Sequence, residues 1–203
     1  ASDVYKRQRY DGVTPVEETM QALIDIVRSG KALYAGISKY PPELQQKCYD
    51  ILREAKVPCL LSQYRCSIFD MKAQADNFAV AAANGSGIIC FSPLSQGLLT
   101  DKYLHGIPAN SRAAKATGFL QTSQVTEARI EAARQLNAIA AARGEKLAGM
   151  ALNWLLADPR VTSVIIGASS VKQLAQNIDS IKPESFTCLL YTSPSPRDVE
   201  ESR

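Results

Sequence analysis

The sequence predicts an α/β fold: the C-terminal half of a (β/α)8 TIM barrel, with about four parallel strands joined by crossover helices. Three observations predict it. First, short apolar runs alternate with helical periodicity from residue 14 to residue 181. Regular strand–helix alternation argues for parallel strands. Second, the polar residues able to do chemistry, Ser38, Gln63, Ser92 and Ser169, fall just after the strand-like runs. Parallel strands bring such positions to one face of a sheet. Third, a lone helix precedes the strand–helix units, and a complete barrel takes ~250 residues. The 203 residues therefore read as a fragment cut just after a fourth strand.

The elements follow in order. Thr14-Pro15-Val16-Glu17 reads as a helix start, with Thr14 as cap, Pro15 at the first helical position and Glu17 as the capping-box carboxylate. Val16, Met20, Leu23, Ile24 and Val27 share one face, and Gly30 ends the helix. Leu33 to Ile37 reads as a strand with Ser38 at its end. Pro41-Pro42-Glu43 opens a helix carrying Leu44, Cys48, Ile51 and Leu52, broken at Val57-Pro58. A short strand begins at Cys59 and ends near Gln63. Met71 to Ala83 predicts one helix, stopped by Asn84-Gly85, and Ile88 to Phe91 a buried strand.

Val125 to Arg143 predicts a helix, and Gly144 interrupts it. Leu147, Met150, Ala151, Trp154 and Leu155 then mark an amphipathic helix, with Trp154 read as core. Asp158-Pro159 stops it. Val164-Ile165-Ile166 predicts the last strand. Val171, Leu174, Ile178 and Ile181 mark the last helix.

Composition excludes several classes. With 46% hydrophobic and 21% charged residues, the chain can bury a sizeable core. A net charge of +3 without a dense basic run argues against nucleic acid. No apolar run approaches the ~20 residues of a membrane span. Cys48, Cys59, Cys66, Cys90 and Cys188 are odd in number and form no CxxC pair, so reduced thiols in the cytoplasm are expected. With His105 the lone histidine, no metal site is expected. Both ends, ASDVYKRQ and CLLYTSPSPRD, resemble translated adapter or vector sequence. Residues 1–8 and 188–203 are expected to be a non-native leader and tail around a domain at 9–187; disordered native tails are the alternative.

The segment from Gly87 to Arg112 is the richest in chemistry. Ser92-Pro93 stops its strand, because proline cannot donate to a ladder. The loop that follows is full of hydroxyls and small residues, bends at Gly97, and is bracketed by Lys102 and Arg112. A strand running into such a loop suits an anion at the sheet's C-terminal edge. An ordinary strand–helix connection with two surface cations is the alternative.

Five blocks carry a resemblance: SGKALYAGISKY, FSPLSQGLLTDKY, IPANSR, MALNWLLADPRVTSVIIGASS and QLAQNIDSI. Together, in this order, they resemble the aldo-keto reductases, within them the branch of L-glyceraldehyde 3-phosphate reductases and potassium-channel β subunits. The resemblance spans roughly Arg9 to Phe186. It implies a barrel that binds NADPH across its C-terminal face and reduces aldehydes or ketones by hydride transfer.

It also implies site residues. Ser38 and Gln63 match the residues that hold the nicotinamide carboxamide, and an amide such as Gln63 both donates and accepts. Phe91, Ser92, Pro93, Leu94, Ser95, Gln96, Gly97 and Leu98 match the segment under the ring and pyrophosphate. Lys102 and Arg112 match the cations of the adenosine-phosphate side, and arginine can grip phosphate bidentately. Gly167, Ser169, Gln173, Gln176 and Asn177 match the adenine-ribose pocket; a solvated helix face is the alternative for Gln173 and Asn177.

The departures bear on activity. The family's catalytic tyrosine, lysine, aspartate and histidine belong to its first four strands, and no residue here matches them. Gln8 stands where the histidine is expected, and Cys66 and Ser67 where this branch often stacks a tyrosine. Lys39-Tyr40 follows a later strand and is not the catalytic pair. The expected function is therefore that of an inactive piece of an NADPH-dependent reductase of a small carbonyl substrate. A nucleotide-sensing regulatory subunit is the runner-up, and an unrelated barrel half with a strand-end anion site the third reading. Half a barrel leaves open strand edges and half-filled layers, so aggregation or homo-oligomerisation is expected. So is an open sheet with apolar side chains exposed on its concave face.

Overall fold

The computed structural model describes residues 2–7, 9–107 and 125–182. It contains a five-stranded sheet in the order β1-β2-β3-β4-β5, numbered along the chain. The strands are β1 (Ser2–Arg7), β2 (Ala32–Ser38), β3 (Cys59–Arg65), β4 (Gly87–Phe91) and β5 (Val161–Ile165). The β1–β2, β2–β3 and β3–β4 pairs are parallel. The chain divides into two compact units. Unit 1 is Ala1–Cys66, Met71–Phe91 and Pro159–Ser163; unit 2 is Ser67–Asp70, Ser92–Asp158 and Val164–Arg203.

In unit 1, α1 (Val16–Arg28), α2 (Pro42–Glu54), α3 (Lys72–Asp76) and α4 (Phe78–Ala83) connect the strands. Val16, Met20, Leu23 and Ile24 of α1 are buried, as the periodicity predicts. Gly30 follows α1 at φ +72°. There its missing Cβ removes the cost of the left-handed region. Register and strand alternation assign the sheet faces. Ala35, Ile37, Tyr64, Ile88 and Cys90 share one face and are buried. Val4, Tyr34, Leu61, Ile89 and Phe91 share the other and remain half-buried or exposed, Tyr34 to 39%. A bulge pairs Ala35 with Cys59 and Gly36 with Leu61. The extra residue, Leu60, is exposed.

Unit 2 builds its own core. Leu94, Leu98, Leu99 and Tyr103 pack with α5 (Glu127–Ala142) and α6 (Leu147–Leu156) through Leu136, Ala140, Met150 and Leu152. Trp154 is buried, as expected. Helix α7 (Val171–Asp179) docks through polar groups: Asn153 Nδ2 donates to Ser180 O over 2.8 Å, and Lys182 N donates to Asn153 Oδ1 over 3.0 Å. Gly149 allows this approach, because a Cβ there would lie 2.8 Å from Ser180 Cβ.

Four expectations need correction. Residues 2–7, read as a leader without strand periodicity, form β1, so there are five strands rather than about four. β1 exists through its ladder to β2, not through a pattern of its own. Thr14 does not cap α1: its hydroxyl donates to Asp11 Oδ2 over 2.7 Å, and Pro15 occupies the cap position. The helix expected over Met71–Ala83 is two helices, because Asn77 turns its amide to Tyr40 O at 2.9 Å and Gln45 Oε1 at 2.7 Å. The last strand, expected over Val164-Ile165-Ile166, runs Val161–Ile165. Helix α7 forms where the apolar spacing marks it; that stripe is exposed, with Val171 at 85% and Ile178 at 61%, while Asn177 on the same helix is buried. The 188–203 tail lies outside the described residues.

Candidate functional site

Ser38 and Gln63 end β2 and β3 and are register partners. Ser38 is buried, and its Oγ donates to the main-chain O of Gln63 at 2.7 Å. That bond locks the two strand ends together. The side-chain amide of Gln63 is half-buried and makes no hydrogen bond among the described residues. Phe91 ends β4 opposite Arg65. The Lys39 ammonium lies over its ring, 4.8 Å from the centroid. Burial and the nearby Arg9 and Arg65 hold the Lys39 pKa below the usual lysine value. Ser38, Gln63 and Phe91 all belong to unit 1.

The residues after Phe91 belong to unit 2. Ser92, Ser95, Gln96 and Gly97 all take positive φ, at +55°, +46°, +60° and +104°. Three non-glycine residues in that region cost about 1 kcal/mol or more each, a strain typical of ligand-holding turns. Hydrogen bonds hold the turn: Gln96 Nε2 donates to Ser92 Oγ at 3.0 Å, and Ser67 and Ser95 share a hydroxyl bond at 2.7 Å. Pro93, Leu94 and Leu98 are buried beneath it. Thr100 Oγ1 donates to Gly97 O at 2.6 Å and accepts from Lys102 N at 3.2 Å. The Lys102 side chain is exposed. Arg112 lies outside the described residues.

The remaining predicted residues stand at the start of α7, also in unit 2. Gln173 Oε1 accepts from Ser169 N at 2.8 Å and Ser169 Oγ at 2.9 Å. Ser170 caps the helix, accepting from Gln173 N at 3.1 Å. The expectations did not include that cap. Gly167 and Gln176 are exposed. Asn177 is buried, and its Nδ2 has no hydrogen-bond partner among the described residues. An orphaned buried amide is rare and points to an absent acceptor. Ser169 and Gln173 are therefore brought together, and Asn177 follows one helical turn on from Gln173.

Reading the sequence missed that Lys39 lies near Arg9 and Arg65, because the three come from separate stretches of the chain. Among the described residues no cluster of metal-ligating side chains occurs. No helix there is long and apolar enough to cross a membrane.

Comparison with known proteins gives the family. Residues 1–187 match the model of the aldo/keto reductase family. The chain is 45% identical over 190 residues to the L-glyceraldehyde 3-phosphate reductase of Escherichia coli K12, covering 91% of this chain and 55% of that protein. It is 30% identical over 183 residues to a probable voltage-gated potassium channel subunit beta of Oryza sativa, covering 88% and 56%. Among solved structures, the glycerol dehydrogenase of Gluconobacter oxydans superposes with a TM-score of 0.74 at 23% identity, over 93% of this chain and 56% of that one. The chain thus spans about half the length of these relatives. The strand order, the parallel pairing and the family match lead to one statement: this chain belongs to the aldo/keto reductase family.

Proposed function

We propose that this chain is the NADPH-holding part of a reductase of aldehydes or ketones, and that the 203-residue polypeptide binds the cofactor without turning over a carbonyl. The observation that carries the reading is the Ser38–Gln63 pair, which anchors the Gln63 backbone and leaves its amide unbonded. Such an amide can donate to and accept from a carboxamide at once. The orphaned Nδ2 of Asn177 fits an acceptor on the adenine side. The strained Ser92–Leu98 turn and Lys102 suit the pyrophosphate and adenosine phosphate, as does Arg112 by resemblance. Bound NADPH supplies the hydride. The residues named here bind and orient it.

Carbonyl reduction also needs an acid at the substrate oxygen. No residue of this chain matches the family's catalytic tyrosine, which is why turnover is not expected. The free cysteines Cys48, Cys59, Cys66 and Cys90 suit the reducing cytoplasm. The alternative, a nucleotide-sensing channel subunit, is supported by the likeness to the rice protein at 30% identity. The 45% identity to the bacterial reductase favours the enzyme.

Titration of the purified chain into NADPH, followed by cofactor emission, tests the reading. Saturable binding without glyceraldehyde-dependent NADPH oxidation is expected. Absence of binding, or measurable turnover, would overturn it.

A further inference from the structure

Unit 1 holds a cavity where α2 runs into β3, at the opposite ends of the strands from Ser38 and Gln63. Its volume is about 360 Å³, within the ~300–1,000 Å³ of small-molecule sites. Tyr49, Leu52, Val57 and Leu60 form an apolar wall. The first three are buried, while Leu60, the bulge residue, is 45% exposed. Cys59, the first residue of β3, adds a small soft surface. Every lining residue belongs to unit 1.

The lining carries net positive charge. Arg53 and Lys56 contribute to it, and no acidic residue does. Arg53 is fixed in the wall: its Nη1 donates to Asn84 Oδ1 at 3.0 Å and its Nη2 pairs with Asp50 Oδ1. Lys56 makes no ion pair among the described residues. Its backbone is also unusual. Lys56 N donates to Arg53 O at 3.0 Å, and Val57 N donates to Leu52 O at 2.9 Å. This is the Schellman pattern of a helix end, whose left-handed position glycine usually takes. Lys56 takes it here, at φ +58°. A lysine is strained in that geometry, and such strain gathers at ligand clamps.

We propose that this cavity binds a small organic carboxylate, with its apolar body on Leu52, Val57 and Leu60 and its charge on Lys56. Burial of the body supplies the affinity, and a charge-assisted bond to the ammonium selects an anion over a neutral molecule. Arg53, held by Asp50 and Asn84, shapes the wall and leaves the ligand's charge to Lys56. The proposal does not rest on the cofactor reading. Ser38 and Gln63 lie at the other strand ends, so carboxylate and NADPH bind side by side.

The 203-residue chain is titrated calorimetrically with hexanoate, hexan-1-ol and acetate, and with hexanoate again after NADPH has been added. The variants are Lys56→Gln, Lys56→Arg, Leu60→Ser and the control Lys72→Gln, which changes net charge equally from an exposed site at the start of α3. Each is checked by circular dichroism. Saturable binding of hexanoate is expected, unchanged by NADPH. Hexan-1-ol, which lacks the charge, and acetate, which lacks the body, should each bind at least about tenfold more weakly. Lys56→Gln should weaken hexanoate about tenfold and Leu60→Ser by a smaller factor, while Lys56→Arg and Lys72→Gln leave it unchanged. If Lys56→Gln fails to fold, Lys56→Gly, which suits the left-handed backbone, supplies the same readout. In hydrogen exchange, hexanoate should protect peptides covering 49–60 and leave 33–40 unchanged. No hexanoate binding by the parent chain, equal affinity for hexan-1-ol or acetate, equal loss in Lys72→Gln, or displacement by NADPH would overturn the proposal.

Discussion

The hydroxyl of Ser38 donates to the backbone carbonyl of Gln63 across 2.7 Å, and the two residues are register partners at the ends of β2 and β3. The bond is buried at Ser38 and ties two strand ends whose side chains face the same way. Ser38→Ala should therefore lower stability by about 1 kcal/mol, the net worth of such a bond. It should also loosen the Gln63 amide and weaken NADPH binding. Denaturant titration and cofactor emission report the two effects separately.

Asn77 ties the α3–α4 break to α2 through Tyr40 O and Gln45 Oε1. Asn77→Ala leaves both acceptors without that donor in a buried site. A loss of about 2 kcal/mol is expected in denaturant unfolding. A midpoint unchanged from the parent would show that the break forms without these bonds.

Gly149 lets α6 meet Ser180. Gly149→Ala improves helix propensity by up to about 1 kcal/mol but drives a Cβ against Ser180. Net destabilisation of roughly 1–3 kcal/mol is expected from overpacking. Gly149→Ala combined with Ser180→Gly should recover part of it.

Asn177 buries an amide nitrogen with no partner among the described residues. Asn177→Leu removes the orphan at similar volume, so stability should hold or rise. NADPH binding should fall, because the orphan is the group proposed to meet the adenine side. Thermal melting and cofactor titration check both halves.

Burial pushes the thiols of Cys48 and Cys59 up to about 12 from an ordinary 9.0. Each thiol therefore keeps its proton in the folded chain after the unfolded chain has lost it. The stability this contributes is complete below pH 9 and is lost as the pH rises from 9 towards 12. The denaturation midpoint should fall between pH 8 and pH 10.5. Both cysteines should resist iodoacetamide at pH 8 unless the chain is unfolded first.

Much of this was legible in the sequence, for identifiable reasons. The α1 stripe from Val16 to Ile24 is periodic and ends in buried positions, so pattern and packing agree. Ser38 and Gln63 were legible because each follows a short apolar strand. Strand β1 was not, since SDVYKR has no apolar alternation and is ordered by its ladder to β2. The Asn77 break was hidden because its causes, Tyr40 and Gln45, lie more than thirty residues away in sequence. Helix α7 was legible from its apolar spacing, while its burial was not: Val171 and Ile178 are exposed and Asn177 is buried. Arg9, Lys39 and Arg65 come near one another only in the fold, from separate stretches of the chain that no local pattern links.

Hydrogen exchange with and without NADPH tests the central claim most directly. Peptides covering 33–40, 60–66, 90–104 and 167–178 should gain protection when cofactor is added, while those covering α1 and α5 should not change. Protection confined to other segments, or none at saturating NADPH, would contradict the account.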